Sequence, residues 1–209
     1  MDYIKQLLFE IAHCNAVTDS RINGNHPCST IINSQTGNAF QLPEPWNGRL
    51  DSARILFVSS NPSYDEKELF PTADWDNFKV EEFFTYRYDD LQYARTPYYS
   101  TMKKYAGWIL NTPIQQVNPY RDFCITEIVH CKSRNEFGVK KCREYCIEKW
   151  MNQILDCFTG EYIVVVGKTA QECFHYTAQN KKIIKVPHPQ AKGYTDEKRK
   201  RIIQEQLFT

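Results

Sequence analysis

Four short polar segments hold most of the groups from which a reaction centre could be built. They are Ser59-Ser60-Asn61-Pro62-Ser63, Glu127-Ile128-Val129-His130-Cys131, Gly167-Lys168-Thr169 and Pro187-His188-Pro189-Gln190. Between them they offer an amide, a carboxyl, imidazoles and small hydroxyls, which are hydrogen-bonding and proton-handling groups. Eight cysteines stand at 14, 28, 124, 131, 142, 146, 157 and 173. In a reducing compartment they are either buried thiols or metal ligands rather than a disulfide framework. No C-x2-C pair occurs, which counts against a zinc ribbon. A P-loop, G-x-G-x-x-G, G-x-S-x-G and H-E-x-x-H are all missing, as is the H-x-E with P-C-x-x-C of nucleobase deaminases. Those enzyme classes are thereby disfavoured.

The elements that must position these segments follow from the hydrophobic pattern. Ile4, Leu7, Leu8 and Ile11 recur at helical spacing, so residues 2–13 are expected as an amphipathic helix. Residues 19–48 are polar and rich in turn signals, and are expected to be irregular. Strands are expected at Arg54–Ser59, Phe123–Val129, Tyr162–Val166 and Lys182–Val186. Helices are expected over 139–158, from Thr169, and over 197–207 with Asp196 as its cap. Continuous apolar strands alternating with helices predict a parallel sheet covered on both faces. In such a sheet ligands bind beyond the carboxyl ends of the strands, and all four polar segments lie there. Residues 70–108 hold twelve aromatics, most of them needed for packing.

In that order and at that spacing, the segments resemble the uracil-DNA glycosylase superfamily. Asn61-Pro62-Ser63 corresponds to its first signature loop (G-Q-D-P-Y-H, G-I-N-P-G or G-E-A-P-G in different branches), and His188-Pro189-Gln190 to its H-P-S-type loop. Ile125-Thr126-Glu127-Ile128-Val129-His130-Cys131-Lys132 is similar to the I-T-N-V-V-K-C-R stretch of the iron–sulfur branch, and the segment from Tyr162 to Ala170 to its I-V-x-L-G-x-x-A. The likeness covers roughly residues 50–195. It implies a three-layer α/β/α sandwich around a four-stranded parallel sheet, in one domain spanning 1–209, with an N-terminal helix and irregular segment over 1–50 and the α/β core over 51–209. It also implies hydrolysis of the base–sugar bond of a flipped-out pyrimidine, leaving an abasic site. Asn61 would hold the attacking water and His188 would donate to the departing base. Ser60, Ser63 and Glu127 would line the base. Phe70 or Trp75 would stack on it. Lys168, Gln190, Lys192 and Lys198 would face DNA, single- or double-stranded.

Three departures from the family pattern bear on substrate. Ser60 stands where the iron–sulfur branch has a catalytic Glu. An amide at 61 can orient water but cannot act as a base, so slow chemistry is expected. Glu127 replaces the Asn that reads uracil: an ionised carboxylate accepts only, which suits a cytosine N4 amino group. The small Ser63 would admit a C5 substituent, so the expected substrate is uracil or a modified pyrimidine, with a C5-modified cytosine among the candidates. A protonated Glu127 would instead keep uracil specificity, and a structural pairing of Glu127 with Lys132 or Arg134 is the plain alternative. Cys131 and Cys146 match two cluster ligands of the iron–sulfur branch, and Cys14 and Cys28 are left to complete a [4Fe–4S] site.

Composition sets the remaining bounds. The net charge of +1 hides an asymmetry: nine acidic against three basic residues over 65–90, and eight basic against three acidic over 179–209. The basic tract, including the helical run Lys198-Arg199-Lys200-Arg201, is expected to face phosphates. No apolar run approaches a membrane span, and no leader pattern is seen, so a cytoplasmic monomer is expected, used in repair or against modified foreign DNA. A non-catalytic nucleic-acid or nucleotide-binding module on the same fold is the rival expectation.

Overall fold

Runs of five mostly apolar residues leave no polar face for water, so they pair side by side in the middle of the molecule. In the computed structural model, which describes residues 2–37, 39–90, 94–176 and 180–208, the strands are β1 (Trp46–Asn47), β2 (Ile55–Ser59), β3 (Phe123–Glu127), β4 (Tyr162–Val166) and β5 (Lys182–Val186). The sheet order is β1-β3-β2-β4-β5. β2 to β5 are parallel, with Ser59 opposite Glu127 and Val166 opposite Val186.

The helices are α1 (Tyr3–Ala12), α2 (Ala16–Ile22), α3 (Ser29–Ile32), α4 (Asn77–Thr85), α5 (Pro97–Ile109), α6 (Val139–Cys157), α7 (Lys168–Cys173) and α8 (Asp196–Leu207). Alternate strand residues feed two cores. Leu56, Val58, Cys124, Ile163 and Val165 pack with α1, α4 and α6. Phe57, Phe123, Ile125, Val164, Ile184 and Val186 pack with α5 and α8. This is the expected three-layer sandwich.

The sheet departs from expectation at its edges. It has five strands, because β1 pairs antiparallel with β3 and Thr126 Oγ1 donates to the Pro45 carbonyl at 2.7 Å. Two residues carry no periodicity to betray a strand. The sheet therefore starts before residue 51, and the segment expected to be irregular also contains α2 and α3. β3 ends at Glu127 rather than Val129, since the chain beyond it bends across the end of β2: Ile128 and Val129 donate to the Ser59 and Ser60 carbonyls. Thr195, not Asp196, caps α8, accepting from the Lys198 amide. At the far edge, Gln206 of α8 lies along β5. Its Oε1 accepts from the Lys185 amide and its Nε2 donates to the Lys185 carbonyl, both at 2.8 Å. Tyr93, one of the twelve aromatics, lies outside the described residues.

Candidate active site

The connection from β3 passes over β2 to reach β4, so the chain reverses its direction of travel at the β2/β4 boundary. A crevice opens there at the carboxyl ends of the strands. Asn61 follows β2 and Gly167-Lys168-Thr169 follows β4, so topology sets these groups at the crevice. Ser59, Glu127 and His188 continue the i, i+2 series of β2, β3 and β5 whose earlier members face α5 and α8.

Asn61 is held by its amide nitrogen. Nδ2 donates to the carbonyl of Pro62 (2.9 Å), Ser133 Oγ (3.0 Å) and the carbonyl of Cys131 (3.4 Å). Two carbonyl acceptors fix which way the amide faces. Oδ1 is thereby left with no protein donor among the described residues, and can accept from a water. Ser60 is buried beside it, and Ser63 is exposed, its backbone bridged to Ser133.

His188 is half-buried, its ring 5.7 Å from that of Tyr98, whose hydroxyl is 2.6 Å from Ser59 Oγ. The Gln190 amide donates to His188 Nδ1 at 3.2 Å. That assigns the ring proton to Nε2. Burial lowers the His188 pKa, and the nearby Arg199 charge adds to this while Glu136 opposes it, so a neutral ring with an Nε2–H donor is favoured. Gly167, at φ +82°, makes room for it: a Cβ there would stand 3.2 Å from His188 Cβ.

Arg199 anchors this loop from below. It is buried, and its guanidinium donates to the Tyr105 hydroxyl (2.7 Å) and to the carbonyls of His188 (3.2 Å), Pro189 (2.9 Å), Ala191 (3.3 Å) and Tyr194 (3.1 Å). The expectation that the whole basic run faces phosphates is therefore corrected at Arg199. Lys192 and Lys198 are exposed, as are Lys168 and Gln190 at the crevice rim.

Glu127 is 4 % exposed, and its Oε2 is buried without a partner among the described residues. Burial, reinforced by the charges of Glu44 and Glu136, pushes its pKa well above the ordinary carboxylate range. The ionised carboxylate expected from sequence is therefore disfavoured. The alternative pairing fails too: Lys132 bonds Glu68, and Arg134 lies 3.7 Å from Glu66.

The two expected stacking aromatics lie to one side. Phe70 is 3 % exposed, edge-on to Phe83 and Phe84, with Lys132 Nζ 3.5 Å from its ring centroid. Trp75 is half-buried against Phe83. Among the described residues neither has a ring contact or hydrogen bond with Asn61, Glu127 or His188. Tyr98, which meets both Ser59 and His188, was hidden in sequence among many tyrosines.

Behind the crevice, Cys14, Cys28, Cys131 and Cys146 line one small cavity with Cys142, Tyr145, His130 and Trp150. All five cysteines are free thiols. Cys142 lies with Cys146 on the apolar stripe of α6, and such a stripe gives no reason to separate it from packing residues. Lys149 Nζ lies 3.6 Å from Cys14 Sγ. Among the described residues no three His, Cys, Asp or Glu side chains are gathered tightly enough to hold a single metal ion. A thiol-lined, largely apolar cavity with a cation beside it does suit a larger cluster bearing negative charge.

Among the described residues, no helix is long and apolar enough to cross a membrane. A protein-family model described as the Uracil DNA glycosylase superfamily matches residues 45–207. No curated protein matches the chain.

Proposed function

The chain belongs to the uracil DNA glycosylase superfamily, and on that premise we propose that it hydrolyses the N-glycosidic bond of a uracil-type base extruded from DNA. What supports this reading is the placement of Glu127 at the end of β3 and His188 just beyond β5, with burial favouring the neutral, hydrogen-donating form of each. β3 and β5 are three strand spacings apart, about 14 Å, a gap that two side chains and one pyrimidine fill.

When the C1′–N1 bond breaks, its electron pair leaves on the base. In uracil that charge spreads over O2 and O4. His188 would donate to O2, and the Glu127 O–H to O4, while the Glu127 carbonyl oxygen accepts from N3–H. An ionised Glu127 would oppose the same charge. Cytosine has one such oxygen, and so gains less from two donors. This favours uracil, with or without a C5 substituent beside Ser63, over the C5-modified cytosine that the sequence leaves among the candidates. Asn61 Oδ1 would hold the water that attacks C1′. Lys168, Gln190, Lys192 and Lys198 would meet the phosphates, and Phe70 or Trp75 would have to shift to stack on the base.

Cys14, Cys28, Cys131 and Cys146 would hold a [4Fe–4S] cluster, which would supply a structural tie between the N-terminal segment and the chain after β3. The Asn61 amide bonds the Cys131 carbonyl, so the same ligand loop positions the water-holding residue.

The test is single-turnover excision from oligonucleotides bearing uracil, 5-substituted uracil, cytosine or 5-substituted cytosine, single-stranded and paired. Uracil-type excision is expected, falling about a hundredfold in His188→Ala, with DNA affinity that drops steeply with salt. Salt-sensitive binding with no excision from any substrate would support the non-catalytic module instead.

A further inference from the structure

Glu136 is a carboxylate at the crevice that the mechanism above does not use. Its position follows from the route of the chain after β3. The segment crosses the end of β2, where the Ser133 amide donates to the Pro62 carbonyl, the Tyr64 amide to the Ser133 carbonyl, and Asn61 Nδ2 to Ser133 Oγ. Three residues later it reaches the first turn of α7, where Thr169 Oγ1 donates to Glu136 Oε2 at 2.9 Å. The segment therefore runs from the water-holding Asn61 to the neighbourhood of His188, with Glu136 at its far end.

Asn135 and Glu136 both adopt left-handed backbone, φ 52° and 56°. Two consecutive non-glycine residues in this region are costly and tend to mark functional sites. The Glu136 carboxylate, held at the start of α7, is within electrostatic reach of both Glu127 and His188, the two groups assigned to the base. Its side chain is exposed and has no ion pair among the described residues. A lone negative charge at a mouth that must admit phosphates opposes binding. The first signature loop, meanwhile, offers a hydroxyl at 60 and an amide at 61, neither of which takes a proton at neutral pH.

We propose that Glu136 is the general base for the attacking water and the anionic partner of the sugar cation in this glycosylase. As the oxygen of the water held by Asn61 bonds to C1′, the C1′–N1 pair leaves on the base and the water's proton passes to the Glu136 carboxylate. Before that transfer, the same negative charge offsets the positive charge growing on the sugar ring. The carboxyl then returns its proton to solvent. Thr169 is a positioning residue that aims Glu136. This inference rests on the glycosylase reading.

The experiment measures single-turnover excision of uracil from a single-stranded oligonucleotide by the wild type, Glu136→Gln, Glu136→Asp and Thr169→Val. It also measures the Kd of each for the same oligonucleotide carrying non-hydrolysable 2′-fluoro-arabino-uridine. Glu136→Gln is expected to slow excision about a hundredfold or more while binding the analogue as tightly as the wild type or tighter. Glu136→Asp should recover much of the rate, and Thr169→Val should lose roughly tenfold. Wild-type rates in Glu136→Gln overturn the inference and leave the glycosylase reading standing. So does a loss of rate matched by an equal loss of analogue affinity, which marks a structural role. A wild type that excises no base overturns the glycosylase reading itself, and the inference with it.

Discussion

Glu127 and His130 lie three residues apart and burial holds both in their neutral forms, with opposite consequences for stability. Burial pushes Glu127 well above the carboxylate range. The unfolded chain therefore loses this proton first as pH rises, and stability present in acid is lost toward the folded pKa. Burial pushes His130 down to about 4. Stability is then full above the unfolded value near 6.5 and is lost as pH falls toward 4, by about 3 kcal/mol in all. Thermal melts from pH 4 to 9 are expected to show both losses. Glu127→Gln should raise Tm at pH 8 and change it little at pH 5. It should also keep uracil excision within about threefold, because a Gln amide offers the same donor and acceptor as a neutral acid. Equal melting of both proteins at every pH would show that Glu127 is ionised when folded. The place of Glu127 at a strand end was legible in sequence. Its protonation was not, because that depends first on how deeply the folded chain buries the side chain and then on the charge of Glu44, distant in sequence.

The parallel strands and α1, α6 and α8 were legible because each is a run long enough to show a period. What their sequences concealed was a division of labour inside α8. Its four consecutive cations look alike, yet Arg199 shares a stripe with Ile203 at i+4, and those two are the residues α8 buries. That stripe was the available signal that one cation turns inward. Arg199 then satisfies four carbonyls of the loop bearing His188 and the hydroxyl of Tyr105, while Lys198, Lys200 and Arg201 are exposed on the outer face of the helix. Arg199→Met is expected to lower stability by roughly 2–4 kcal/mol by leaving those acceptors unpaired. It should slow excision at least tenfold with DNA affinity nearly unchanged. Lys200→Ala should do the reverse, leaving the rate intact and shallowing the salt dependence of binding. Stopped-flow excision and salt-titrated binding separate the two.

The molecule joins distant parts of its chain at two places that no local pattern announces. The first is the cysteine cavity, where Cys14 and Cys28, outside the matched residues 45–207, meet Cys131, Cys142 and Cys146. Protein prepared without oxygen is expected to be brown and to hold about four irons per chain, with Cys131→Ala losing both colour and iron. Colourless, iron-free wild type with an unchanged melting curve would remove the cluster. The second is the rim of the sheet. A parallel strand at an open rim is a template for strands of other molecules, and a chain with such a rim tends to assemble edge to edge. Gln206 makes with Lys185 the two backbone bonds that a sixth strand would make, while β1 covers the opposite rim. The side-chain amide thus acts as a molecular end-stop that keeps the sheet finite. Gln206→Ala, with the helix intact, is expected to sediment as concentration-dependent oligomers, and the wild type is expected to run as one monomeric species.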